Sequence, residues 1–230
     1  MTVSVDLEQL AQRAGRELES APADEIVRWA VQTFGTRFAV ASAMQDAVLV
    51  HLVSQVAPGI DVLFLDTGYH FAETLGTRDA VAATYDVNLI TLTPRQTVAE
   101  QDAAYGPTLH DRDPDRCCGL RKVAPLDRAL QRYDAWATGL RRVEAPTRAG
   151  TPVVSYDARR GKVKIAPIAA WSDQDVEDYI ASHGILINPL LTAGYRSIGC
   201  APCTRAVAAG EDPRAGRWAG SVKTECGIHR

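Results

Sequence analysis

Neither familiar phosphate-loop signature is present. No GxGxxG follows a strand-like run, and no GxxxxGK[ST] occurs in the 230 residues, so the common dinucleotide and nucleoside-triphosphate fingerprints are excluded. No apolar run approaches the roughly 20 residues that span a bilayer. The opening stretch "MTVSVDLEQLAQRAGRELES" carries acids every few residues and no apolar h-region, unlike a secretory signal. A general basic excess is also missing: the formal charge is −3, which argues against a dedicated nucleic-acid binder. The expectation is a cytoplasmic protein with no membrane and no nucleic-acid partner, in a compartment where thiols stay reduced.

What is there is ordinary globular composition, 46% apolar and 23% charged, enough for one sizeable core. Residues 5–34 show helical spacing, with Gly35 as the stop. Then "RFAVASAM", "IDVLFLDTG" and "VNLITLTP" read as buried strands. Between and after them, "QDAVLVHLVSQVA", "ETLGTRDAVAATYD" and "TVAEQDAAYG" read as helices. This alternation predicts an α/β fold, a Rossmann-like parallel sheet with helices on both faces. "RCCGLRKVAPLDRALQRYD" reads as helical from about Cys118, with Pro125 either interrupting it or marking a fresh first turn. "AWATGL" reads as another strand, the segment around Arg160-Gly161 as a hairpin, and "SDQDVEDYIASHG" as a capped helix. After Asn188 the chain is rich in Gly, Pro and Arg with little periodicity. No repeat or linker divides it, so residues 1–230 read as one domain with an irregular C-terminal segment.

Ligands of open α/β sheets bind beyond the carboxyl ends of the strands. Two polar turns fall there, Ser42 to Asp46 and Leu65 to Gly68. Ser42, at an expected helix start, suits an anion, and Asp66 suits a ribose or base; each also reads as a plain cap or turn residue. Between Arg116 and Arg142 seven basic residues face only Asp127 and Asp134, which is either a solvated helix face or local charge for an anionic ligand.

Cysteine carries the strongest signal. Cys117-Cys118 and Cys200-Ala201-Pro202-Cys203 form two close pairs, and Cys226 stands alone near the end. Four thiolates suit tetrahedral zinc or a [4Fe-4S] cluster. Adjacent thiolates converge poorly on one small ion, whereas a cubane offers each a different iron, so the pairs favour the cluster. Cations at Arg116, Arg121 and Lys122 would answer its negative charge. The fifth thiol is then surplus to metal binding.

Taken together, "LDTGYHFAET", "RCCGLRKVAPLDRAL", "WATGLRR", "GCAPCTRAVAAGEDPRAGRW" and "KTECGIH" resemble the iron–sulfur assimilatory adenylyl-sulfate reductases of the adenylyl-sulfate/phosphoadenylyl-sulfate reductase family. The resemblance implies an adenine-nucleotide-hydrolase-like fold with a PP-loop after the first strand. It implies reduction of adenylyl sulfate to sulfite and AMP with thioredoxin as electron donor. It assigns Cys117, Cys118, Cys200 and Cys203 to one [4Fe-4S] cluster and Cys226 to the nucleophile, which would form an S-sulfocysteine. Lys122 would bridge the cluster region and the sulfate. Arg148, Arg214 and Arg217 would hold phosphosulfate, His229 would close over it, and Ser42, Asp66 and Gly139 would contact the nucleotide. "ASAMQD" departs from the family in lacking the usual PP-loop glycine, which implies a tighter phosphate cradle. The alternatives are a phosphoadenylyl-sulfate or dual-substrate reductase and, in another class, a zinc-stabilised adenine-nucleotide-binding protein; a homo-oligomer is compatible with all of them.

Sulfonation of Cys226 requires a lowered thiol pKa, for which Lys223, His229 and neighbouring arginines are candidates. The thiol must also reach a second protein, so residues 218–230 are expected to form a catalytic tail with few anchors, mobile from about Ser221 to Arg230 without substrate. Anaerobic purification checks the metal reading: a brown protein with broad visible absorption is expected, and a colourless protein holding one zinc overturns it.

Overall fold

The computed structural model describes residues 6–221 and 223–229. Two amphipathic helices open the chain, α1 (Leu7–Glu17) and α2 (Ala23–Phe34). The continuous helical spacing read over residues 5–34 is broken where Pro22 caps α2. Asp6 caps α1 by accepting the Glu8 and Gln9 N–H groups, and Gly35, at φ +52°, ends α2 as expected.

Three strand–helix units follow: β1 (Phe38–Ser42), α3 (Val48–Val56), β2 (Ile60–Leu65), α4 (Ala72–Thr84), β3 (Val87–Leu92) and α5 (Val98–Tyr105). Short α6 (Leu109–Arg112) leads to α7 (Pro114–Cys118) and α8 (Ala124–Leu130), and then to β4 (Ala135–Thr138). The expected hairpin is β5 (Val154–Asp157) with β6 (Lys162–Ile165), and α9 (Asp173–His183) is the last helix. Ser172 and Asp175 form its capping box, and Gly184 closes it in a left-handed conformation.

The six strands lie in the order β3-β2-β1-β4-β6-β5. All neighbours are parallel except β5, which pairs antiparallel with β6. The order reverses at β1, because β2 and β3 lie on one side and β4 on the other. Such a switch point opens a crevice at the carboxyl ends of the two central strands. One face of the sheet buries Phe38, Val40, Val62 and Phe64 under α1–α3; the other buries Ala39, Leu63 and Trp136 against Leu126 and Leu130 of α8. No helix among the described residues is long and apolar enough to cross a membrane.

The helix around the first cysteine pair starts earlier than the spacing implied and passes through Pro125. Its α7 and α8 segments are joined by one π-helical turn, Gly119–Val123. That wide turn frees a backbone position just ahead of the proline, so Pro125 falls at the start of a fresh α-helical segment rather than inside one.

Phe38, 1% exposed at the start of β1, tests the core. Phe38→Ala is expected to destabilise the protein by about 3–5 kcal/mol, read as a lower urea midpoint.

Candidate active site

The crevice is a pocket built from the ends of β1, β2 and β4, the 142–148 loop and the C-terminal segment. Ser42, Lys122, Gly139, Arg148, Arg214, Arg217, Cys226 and His229 all line it. Residues far apart in sequence are thus brought together. Arg141, Glu144, Glu225, Met44 and His70 line it too and carried no sequence assignment, although Arg141 stood in the basic stretch and Glu225 beside the lone cysteine.

Two expected contacts differ. Ser42 is the last residue of β1, not a helix start: α3 begins six residues later, and the Ser42 hydroxyl accepts the Met44 N–H at 3.3 Å. Asp66 does not line the pocket. Its Oδ1 accepts the Gly68 N–H at 2.9 Å and its Oδ2 lies 3.9 Å from Arg78, so one oxygen of the group closes the turn. His70, in the next turn, lines the pocket instead, its Nε2 2.7 Å from the Leu65 carbonyl.

The missing loop glycine has a visible cost. Met44 adopts φ +57°, the left-handed region that favours glycine. Its side chain is fully buried, and Asn188 Nδ2 donates to its carbonyl at 3.1 Å. Packing and this bond hold a conformation that the residue itself disfavours.

Cations dominate the pocket wall. Arg217 lies over the Trp218 ring at 4.5 Å and donates to Ser197 Oγ and the Ile198 carbonyl, both at 3.3 Å. A Cβ on Gly199 would sit 2.3 Å from its guanidinium, so any side chain there would push Arg217 out of this position. Arg148 grips Glu225 through Nε at 2.7 Å and Nη2 at 2.8 Å, and donates from Nη1 to Glu144 at 2.5 Å. Arg214 donates to the Thr224 carbonyl at 2.9 Å and approaches Glu225 at 3.3 Å.

Cys117, Cys118, Cys200 and Cys203 line a second, smaller cavity, which shares Lys122 and Trp218 with the first. Burial pushes the Cys117 thiol up and the Cys203 thiol up to about 11, in each case reinforced by Cys200. Thr67 Oγ1 lies 3.3 Å from Cys200 Sγ. Among the described residues no three such ligands converge on a single ion, although four thiols share one cavity. Arg121, 3% exposed, lines the same cavity. Its guanidinium donates to the neutral Thr67 carbonyl, to the Gln96 carbonyl at 3.3 Å and to Gln101 Oε1 at 3.1 Å.

Between the two cavities stands Lys122. Burial works against its charge, but the sulfurs of Cys200, Cys226 and Cys118 raise its pKa above the ordinary value. Cys226 shifts the opposite way: a hydrogen bond from Cys118 lowers its pKa against burial, helped by Lys122, the Ile228 N–H and Arg217. Should Cys118 bind metal, the last three would remain. The other expected activators do not serve. Lys223 is bonded to Asp115, and the His229 pKa is pushed well down by burial and by Lys164 and Arg148, so its ring is neutral.

The segment also departs from the expectation of few anchors. Glu225 is held by Thr147, Arg148 and Arg214, Lys223 by Asp115, and His229 stacks on Trp136 with rings 8° from parallel. The terminal residue 230, part of the expected mobile stretch, and residue 222 lie outside the described residues.

A parallel sheet with a cation-lined crevice at its switch point and a thiol aimed into it defines an α/β nucleotide-binding protein equipped for thiol chemistry. Within that class the chain belongs to the phosphoadenosine phosphosulfate reductase family, whose domain model matches residues 36–206. It is 69% identical to the adenosine 5'-phosphosulfate reductase of Streptomyces coelicolor, over 97% of this chain and 95% of that one. It is 60% identical to the protein of that name from Mycolicibacterium smegmatis, with the same coverage. The crystal structure of phosphoadenylyl-sulfate reductase from Candida auris in a phosphate complex matches with a TM-score of 0.75 at 28% identity, covering 88% of this chain and 98% of that one. Candida glabrata FMN adenylyltransferase, with a TM-score of 0.56 and 12% identity over 87% of this chain and 74% of its own, shares the fold.

Glu225 gives a pH prediction. Burial would raise its pKa, but the hydrogen bond and charge of Arg148, with Arg214, lower it to about 2. A depressed carboxyl pKa contributes stability that is complete above the unfolded value and lost as pH falls towards the folded one. The difference in urea midpoint between the wild type and Glu225→Gln is therefore expected to stay flat from pH 8 to about 5. It narrows only below about 4.5, the ordinary glutamate range.

Proposed function

We propose that this chain reduces adenylyl sulfate to sulfite and AMP in two thiol-transfer steps, with a dithiol protein of the thioredoxin type as electron donor. The observation that carries the reading is the place of the Cys226 thiol, beside Lys122 and Arg217 at a pocket lined by further arginines. The names of the relatives point the same way.

In the first step the Cys226 thiolate attacks the sulfate sulfur. An S–S bond forms, the S–O bond to the phosphate breaks, and AMP leaves with the electron pair. Arg148, Arg214 and Arg217 hold the phosphosulfate, and Lys122 stabilises charge on the transferring group. Ser42 and Gly139 contact the nucleotide, and neutral His229 covers it from the stacked position on Trp136. In the second step a donor thiolate attacks Cys226 Sγ and sulfite leaves with the pair. The donor's second thiol then attacks the mixed disulfide, freeing Cys226 and oxidising the donor. Two electrons reach the sulfur, and both come from the dithiol.

Cys117, Cys118, Cys200 and Cys203 would hold one [4Fe-4S] cluster. Four thiols in one cavity, two of them adjacent in sequence, and the neighbouring Arg121 and Lys122 support that donor set over zinc. When bound, the cluster would supply fixed charge against which Lys122 is oriented. Oxygen-sensitive thiol chemistry of this kind suits the reducing cytoplasm.

Mass spectrometry of the intact holoprotein mixed with adenylyl sulfate and no reductant tests the reading. A sulfonate adduct on Cys226 is expected. Cys226→Ser must lose the adduct while keeping its visible absorption, and an adduct that survives the substitution refutes the assignment.

A further inference from the structure

Cys226 is held from both sides. Upstream, Glu225 is gripped by Arg148. Downstream, the next two carbonyls run to the β5–β6 hairpin: Arg159 Nη1 donates to Gly227 at 3.3 Å and Arg160 Nη1 to Ile228 at 3.0 Å. The two grips differ in one respect. Arg148 lines the pocket, so an incoming anion competes with Glu225 for it. Arg159 and Arg160 are not among the pocket-lining residues, and no anion bound there competes with their hold.

Arg160 is built for a fixed position. Its side chain is only 4% exposed. It donates from Nε to Asp127 at 2.6 Å and from Nη1 to Asp157 at 2.8 Å. Its guanidinium lies 5.6 Å from the centre of the Trp136 ring, on which His229 also stacks. Asp127 accepts Arg159 as well, at 2.8 Å, so two arginines and two aspartates balance one another. Ile228 adds apolar packing against the cluster of Leu63, Leu126 and Leu130.

We propose that the β5–β6 hairpin is the dock that sets the position of the Cys226 sulfur, with Arg160 as its positioning residue acting through the Ile228 carbonyl. The dock must hold for sulfonation, where a misplacement of about 1 Å costs on the order of a hundredfold. It must let go for the second thiol to reach the sulfur. The importance given to release rests on the proposed function; the dock itself does not. Loosening Arg160 therefore speeds access to the thiol and slows sulfonation, and unchanged visible absorption separates this from a general loss of structure.

The test uses anaerobic holoprotein as wild type, Arg160→Lys and Arg160→Gln. Iodoacetamide labelling of Cys226, read by peptide mapping without nucleotide, reports access; sulfonate formation with adenylyl sulfate reports docking. Loss of a charged hydrogen bond to the backbone predicts labelling about tenfold faster and sulfonation about tenfold slower in Arg160→Gln, with Arg160→Lys between. Visible absorption equal to wild type vouches for the fold. Should Arg160→Gln not fold, Asp127→Asn removes the brace from the outer side and is expected to move both rates the same way by less. Unchanged labelling in the folded variants overturns the proposal, as does a fall in both rates together. A wild type that forms no adduct refutes the proposed function, while the labelling arm still decides the dock.

Discussion

The ammonium of Lys122 stands between two groups of sulfur, and an enclosed lysine is costly unless anions answer it. The Cys226 thiolate does so, with the sulfurs of Cys200 and Cys118 beside it, and the arrangement around the crevice follows from keeping them there. The π-helical turn places Lys122 between the cavities; the CxxC segment brings Cys200 from the far end of the chain; the C-terminal segment delivers Cys226. One cation thus links the cavity of paired cysteines to the pocket of the lone one. Its charge and the thiolate of Cys226 stabilise each other, so neither group is set independently of the other.

The second constraint is excess positive charge. Arg141, Arg148, Arg214, Arg217 and Lys122 line one pocket with the carboxylates of Glu144 and Glu225 among them. Glu225 belongs to the same segment as the nucleophile. Docking of that segment therefore delivers a thiol to the pocket and, in the same movement, a carboxylate to the arginines. An anion entering the pocket trades places with part of that compensation and meets a surface already organised for it.

Much of this was legible in the sequence, and for definite reasons. Buried parallel strands read as apolar runs, so β1, β2 and β4 stood out, and the edge strand β3 kept enough of the same pattern to be read with them. Paired cysteines announce themselves by spacing, and Ser172 and Gly184 mark their helix by cap chemistry. Other parts were illegible because they depend on geometry alone. The backbone of Met44 takes a conformation that a methionine does not advertise, and Asp66 looks free until its turn is seen to use it. The hairpin grip ends on carbonyls of Gly227 and Ile228, which every residue type possesses. His229 brings no positive charge to the thiol because burial and nearby cations, not residue type, decide its protonation.

The wide turn at Gly119–Val123 has one more implication. It separates the cysteines of α7 from Asp127 of α8, which braces the hairpin arginines. A turn closed by i→i+5 bonds holds one residue more than an α-turn, as the bond from the Ala124 N–H to the Gly119 carbonyl shows. Deleting one residue there would restore α-helical spacing and keep Asp127 in phase with Cys117 and Cys118, while shifting what lies between them. The stretch is therefore locked in length by Lys122: a single-residue gap would leave the hairpin braced but move the ammonium from its place between the two cavities.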